Sequence, residues 1–92
     1  MSPITTERAV FTGRVQGVGF RFTVRSIARR YPVKGYVRNM PDGAVELVMQ
    51  GATLAMNDLL AEVSEHFRGN ITHYERVSIE TEEQFQHFEI RF

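Results

Sequence analysis

The chain has 92 residues, 42% of them apolar, which suits one small domain (1–92) around one core. It contains no cysteine, so disulfides, thiolate catalysis and cysteine–zinc sites are excluded, and a reducing, cytoplasmic setting is expected. The 11 basic and 11 acidic residues balance to zero net charge, yet they are unevenly placed: Arg14, Arg21, Arg25, Arg29, Arg30, Lys34 and Arg38 stand together with no acid among them, whereas from Asp42 onward ten acids meet three bases. The first half therefore offers a positive field to an anionic ligand.

Along the chain, residues 1–6 read as a loose tail. They lack the basic-then-apolar pattern of a signal peptide, and no later run approaches the roughly 18 apolar residues of a membrane span. Glu7 to Gly13 reads as a strand. From Phe20 the period changes: Phe20, Val24, Ile27, Ala28 and Tyr31 share one face of a helix, which Pro32 stops. Gly35–Met40 and Ala44–Gln50 read as strands joined by a tight turn at Pro41-Asp42-Gly43. Val45, Leu47 and Met49 share one face of the second. Thr53 is the expected N-cap of a second helix, with Met56, Leu59, Leu60, Val63 and Phe67 as its apolar stripe and Gly69-Asn70 as its end. Tyr74–Thr81 reads as a fourth strand. Phe88, Ile90 and Phe92 alternate in a short closing one. The order β-α-β-β-α-β with a short fifth strand implies a ferredoxin-like α+β sandwich, both helices on one face of an antiparallel sheet. That fold hosts many functions, so the function must be sought in the site.

The stretch GRVQGVGFRF, Gly13 to Phe22, concentrates the chemistry. Its glycines allow backbone N–H groups to turn into a shared concavity, and the loop runs into a helix N-terminus, where unpaired amides and the positive dipole end favour an anion. Arg21, in the first helical turn, has the planar fork that holds two phosphate oxygens. The alternative is a tight turn whose glycines only avoid clashes. A Walker A loop does not fit, because Phe-Arg-Phe follows Gly19, and a dinucleotide loop begun at Gly17 would need a third glycine where Phe22 stands. Arg25, Arg29 and Arg30 read as a solvated helix face. Asn39, just before a turn, reads from the residues alone as a local cap. His66, His73 and His87 have no metal-ligand spacing, so no metal or cofactor is expected. Asn70-Ile71-Thr72, a glycosylation triplet by pattern, is read as chance.

Two stretches carry a family resemblance. GRVQGVGFR (13–21) resembles the first signature of the acylphosphatases, and GYVRNMPDGAVELVMQG (35–51) is similar to the second; together they span 26 of the 92 residues. The resemblance implies a metal-independent hydrolase that splits acyl phosphates into a carboxylate and inorganic phosphate. It implies that the loop amides of Arg14, Val15, Gln16, Gly17, Val18, Gly19, Phe20 and Arg21, with the Arg21 side chain, hold the phosphate. It implies that Asn39 positions the attacking water. Many members have Gly-Pro after the second helix; the Gly69-Asn70 found here is expected to touch a loop remote from both motifs.

The chemistry is coherent with that residue set. The leaving group is a carboxylate, which departs without a general acid, so phosphoryl charge and water alignment are what remain to be managed. Two other readings compete. One is a catalytically silent accessory domain of the same family, against which an intact Arg21 and Asn39 weigh. The other is a ferredoxin-like nucleic-acid-binding module, but its stacking aromatics would sit on the third strand, and AVELVMQ has none. The partners expected are therefore a small acyl phosphate and inorganic phosphate, with no nucleic acid or membrane, and the chain is expected to be a monomer.

Overall fold

The computed structural model of the protein describes residues 3–92. Its elements are β1 (Thr5–Gly13), α1 (Phe20–Ala28), β2 (Val33–Asn39), β3 (Val45–Gly51), α2 (Thr53–His66), β4 (Ile71–Ile79) and β5 (Phe88–Arg91). The sheet order is β4-β1-β3-β2-β5. The pairs β1–β3, β1–β4 and β2–β3 are antiparallel, which gives the ferredoxin-like arrangement. The edge pair β2–β5 is parallel, so the expected wholly antiparallel sheet holds only for the first four strands.

Alternation decides what each face carries. Ala9, Phe11, Val37, Leu47 and Met49 face the helices and form one core with Phe20, Val24, Ile27, Met56, Leu59, Leu60 and Val63. Phe20 matters most for the site, because it fixes where α1 begins. Its ring packs 5.3 Å from Phe11 and 4.6 Å from Phe67, between centroids. Burying a phenylalanine contributes roughly 1.5–3 kcal/mol, enough to hold the first helical turn against the sheet. The opposite face is polar. There Glu46 accepts from Arg38 Nε at 2.7 Å and from Arg8 Nε at 2.5 Å. Burial pushes the Glu46 carboxyl up, but the two guanidinium bonds outweigh it, so its pKa lies below the ordinary carboxylate value. Segment 80–87 is strapped onto this face: Gln50 Nε2 donates to the Glu83 carbonyl and Gln50 Oε1 accepts from the Phe85 amide.

Several boundaries differ from the sequence reading. The tail is shorter, because Thr5 and Thr6 already pair with Gly51 and Gln50, and Thr6 is buried; Met1 and Ser2 lie outside the described residues. Helix α1 closes at Ala28, and Tyr31 packs against the core from the turn beyond it. The N-cap of α2 is Ala52, in extended conformation and with no side-chain cap bond, so Thr53 is already helical. Strand β4 starts at Ile71 and ends at Ile79, earlier than expected at both ends, because pairing with β1 captures the residues directly after the α2 turn.

Candidate active site

The polar groups converge at the end of β2, beside the loop that joins β1 to α1. That loop is fastened at two points. The Arg14 amide donates to the Asn70 carbonyl at 2.9 Å, while Asn70 Nδ2 donates to the Arg14 carbonyl at 3.1 Å. The approach is so close that a Cβ on Gly13 would lie 2.3 Å from that Asn70 oxygen. Farther along, Gln16 Nε2 donates to the carbonyls of Met40 and Ala44, at 2.8 and 2.9 Å. Those two residues close the β2–β3 turn, where the Met40 amide also reaches the Ala44 carbonyl at 2.8 Å. Between Gln16 and the helix, Gly17 and Gly19 both adopt φ of 76°, left-handed backbone that a side chain would strain.

Helix α1 begins at Phe20, and its first internal bond is Thr23 amide to Gly19 carbonyl at 3.0 Å. The amides of Phe20, Arg21 and Phe22 precede that bond and have no helical carbonyl to serve. No acid occupies the first turn to compete for them. Asn39 is the last residue of β2, on the same face as Val37, so it looks toward the start of α1. Val15, Gly17, Gly19, Phe20, Arg21, Phe22 and Asn39 enclose a cavity of about 190 Å³. At about 30 Å³ per water, that is room for a tetrahedral anion and a few water molecules.

Two polar groups at this cavity are uncommitted. Asn39 Oδ1 is buried and accepts no hydrogen bond. A buried acceptor without a partner costs about 1–3 kcal/mol, so it points to a ligand or water that would use it. Arg21 is half-buried, and among the described residues it has no carboxylate partner; its guanidinium lies 4.9 Å from the Phe92 ring centre. By contrast, Arg8, Arg30, Arg38, Arg68, Arg76 and Arg91 are each ion-paired.

The structure thus gathers most of the residues singled out in the sequence. Val15, Gly17, Gly19, Phe20, Arg21 and Asn39 line one cavity; Arg14, Gln16 and Val18 do not. The Arg14 amide is consumed by Asn70, and the Gln16 side chain serves as a tether. Asn70 is not remote from the first motif, because the α2–β4 turn is bonded to the start of the loop. Neither tether was readable from composition. A glutamine in a glycine loop, where backbone alone would suffice, is the one signal that could have found Gln16. Among the described residues no three His, Cys, Asp or Glu side chains are grouped to hold a metal; His73 and His87 instead sit beside Glu75 and Glu89. No helix among them is long and apolar enough to cross a membrane.

These features define a ferredoxin-like α+β protein with a cavity, lined by Arg21 and Asn39 among apolar residues and glycines, where its first strand hands over to its first helix. The sequence profile of the acylphosphatases matches residues 7–90. An acylphosphatase of Thiobacillus denitrificans is 46% identical over 80 residues, covering 86% of this chain and 88% of that protein. One of Thermoplasma volcanium is 37% identical over 89 residues, covering 96% and 98%. The crystal structure of acylphosphatase from Bacillus subtilis superposes with a TM-score of 0.84 at 27% identity, over 98% of this chain and all of that one. The chain belongs to the acylphosphatase family.

Proposed function

We propose that the chain hydrolyses acyl phosphates at the cavity between Gly17, Arg21 and Asn39. In the reaction an acyl phosphate dianion and water give a carboxylate and dihydrogen phosphate. The water oxygen bonds to phosphorus, the P–O bond to the acyl group breaks, and its electron pair leaves with the carboxylate. Both water protons end on the new phosphate, one kept by the attacking oxygen and the other passed to a phosphoryl oxygen. Since a carboxylic acid has a pKa near 4, the leaving group departs as the anion and needs no proton.

The loop and first-turn amides, with the Arg21 fork, bind the phosphoryl oxygens and stabilise charge as the bond breaks. Asn39 Oδ1 accepts a hydrogen bond from the attacking water and aims its lone pair at phosphorus. The observation that carries this reading is that buried, unpartnered Oδ1, set across one cavity from an arginine that has no carboxylate partner among the described residues. The reading also takes the substrate to be a free small molecule, involves no cofactor, nucleic acid or membrane, and places the chain as a cytoplasmic monomer.

The test is direct. Purified protein should release carboxylate and phosphate from a simple aryl acyl phosphate and leave a phosphate monoester nearly untouched, because no general acid is placed for an alkoxide. Comparable rates on both substrates would refute the mechanism.

A further inference from the structure

Another cavity, of about 290 Å³, opens where the turn after α1 enters β2 and where β5 begins. It shares no lining residue with the cavity of Arg21 and Asn39. Val33 lines it, and Asn39 stands at the other end of the same seven-residue strand, about 20 Å away. We propose that this cavity binds a small amphiphilic carboxylate, a flat apolar body bearing one anionic group, with Arg29 as the anchor for the charge. The proposal stands independently of the phosphate reading.

The walls call for the apolar body. Tyr31, Pro32, Val33 and Phe88 line the cavity. Val33 and Phe88 belong to the core, so the floor is fixed by packing. The Tyr31 ring is held from outside, because its hydroxyl donates to Glu62 Oε1 at 2.6 Å. Pro32 has its φ set by its own ring. The cavity is therefore formed before a ligand arrives, which spares the ligand the cost of ordering it. Its size is at the lower end of small-molecule pockets, about 300 Å³, and its lining has their usual character: mostly apolar, with a few placed polar groups.

The charges call for the anion. Arg29, Lys34 and His87 line the cavity and no acid does. His87 is engaged by Glu89 at 3.2 Å. Arg29 and Lys34 have no carboxylate partner among the described residues. Arg29 is the C-cap residue of α1, exposed as a helix-face arginine is expected to be, but its guanidinium has a fixed place: Nη2 donates to the Phe88 carbonyl at 3.4 Å. That single bond sets the fork beside the apolar wall and leaves most of its N–H groups to a ligand. Lys34 alternates onto the other face of β2 from Val33, so its flexible stem brings the ammonium to the rim rather than the floor. A small polar anion would leave the walls in water, and a neutral aromatic molecule would leave Arg29 unanswered. Both are satisfied when body and charge belong to one molecule.

The experiment titrates the isotope-labelled whole chain with 2-naphthoate and follows the backbone amide resonances. Saturable shifts should centre on Tyr31, Val33, Lys34, His87 and Phe88, and the same Kd should be found with inorganic phosphate present in excess. Acetate, which lacks the body, and 2-naphthamide, which lacks the charge, should each bind at least about tenfold more weakly. Arg29→Gln should weaken 2-naphthoate at least about tenfold, the size of a lost charge-assisted hydrogen bond. Lys34→Gln, at the rim, should weaken it about two- to fivefold. Arg30→Gln should leave it unchanged, because Arg30 is paired with Glu62 and does not line the cavity. All three residues are exposed, and melting curves check that each variant folds. The proposal is overturned by an absence of saturable shifts, by shifts confined to residues 17–22 and Asn39 that phosphate abolishes, by equal affinity for naphthamide, or by wild-type affinity in Arg29→Gln.

Discussion

Two arginines near the same strand have opposite fates. Arg38, in β2, points to the polar face of the sheet and is neutralised by Glu46 at 2.7 Å. Arg21, at the start of α1 on the helix side, faces Asn39 across a cavity with no carboxylate partner among the described residues. The local sequence treats them alike, since both lie in the acid-free stretch from Gly13 to Arg38. The fold separates them by supplying an acid from β3 to one face of the sheet and none to the end of the other. A cation given a partner stabilises the fold, and one left without a partner is available to an anion. Four substitutions test that division.

The largest effect should come from Arg21→Ala, with kcat/KM down roughly 10³-fold or more, as for other arginines that bear phosphoryl charge. The same variant should lose most of the stabilisation by inorganic phosphate. In the wild type that amounts to about 2.7 kcal/mol at 100 times Kd and is readable as a rise of several degrees in Tm. Next, Asn39→Ala should reduce kcat about 10²-fold through lost water alignment while phosphate still competes nearly as well. Steady-state kinetics with phosphate as inhibitor separates the two.

Gln16→Ala should cost less, roughly tenfold in kcat, because releasing the tether lets the loop drift relative to Asn39 without removing either chemical group. If it left kcat at the wild-type value, the tether would be packing only. The smallest effect on activity should be that of Glu46→Gln, which belongs to the other side of the comparison. Turnover should persist, but Tm should fall by several degrees, because Arg8 and Arg38 lose their anion. The loss should depend on pH. Since the Glu46 pKa is depressed in the fold, its stabilisation is present above the ordinary carboxylate pKa, near 4.3, and disappears as pH falls through the lower folded value. Melting curves of wild type and variant should therefore differ at neutral pH and converge in acid.

The sequence exposed the loop and Arg21 because those features are local, glycines and a period change at Phe20, whereas Asn39 read from the residues alone as a turn cap and only the family resemblance singled it out. The core stripes were legible for the same reason, and every apolar position expected of α2 is buried. What escaped depends on partners far along the chain. Thr5 and Thr6 look like tail until β3 is placed beside them. The Thr53 hydroxyl suits a cap, but the turn from Gly51 enters the helix one residue earlier. The parallel pairing of β5 with β2, and both tethers of the loop, are tertiary choices that no short window contains.

The bond between Arg14 and Asn70 spans 56 positions, and that distance has a temporal meaning. The loop leaves a ribosome well before the turn that fastens it. Strand β1 is likewise central, with Ala9 opposite both Leu47 and Arg76, so the sheet cannot settle from the N-terminal half alone. Such long-range pairing slows folding relative to helical proteins of similar size. It also makes the phosphate site proposed above a late property, one that a nascent chain would acquire together with β4 rather than with its signature loop.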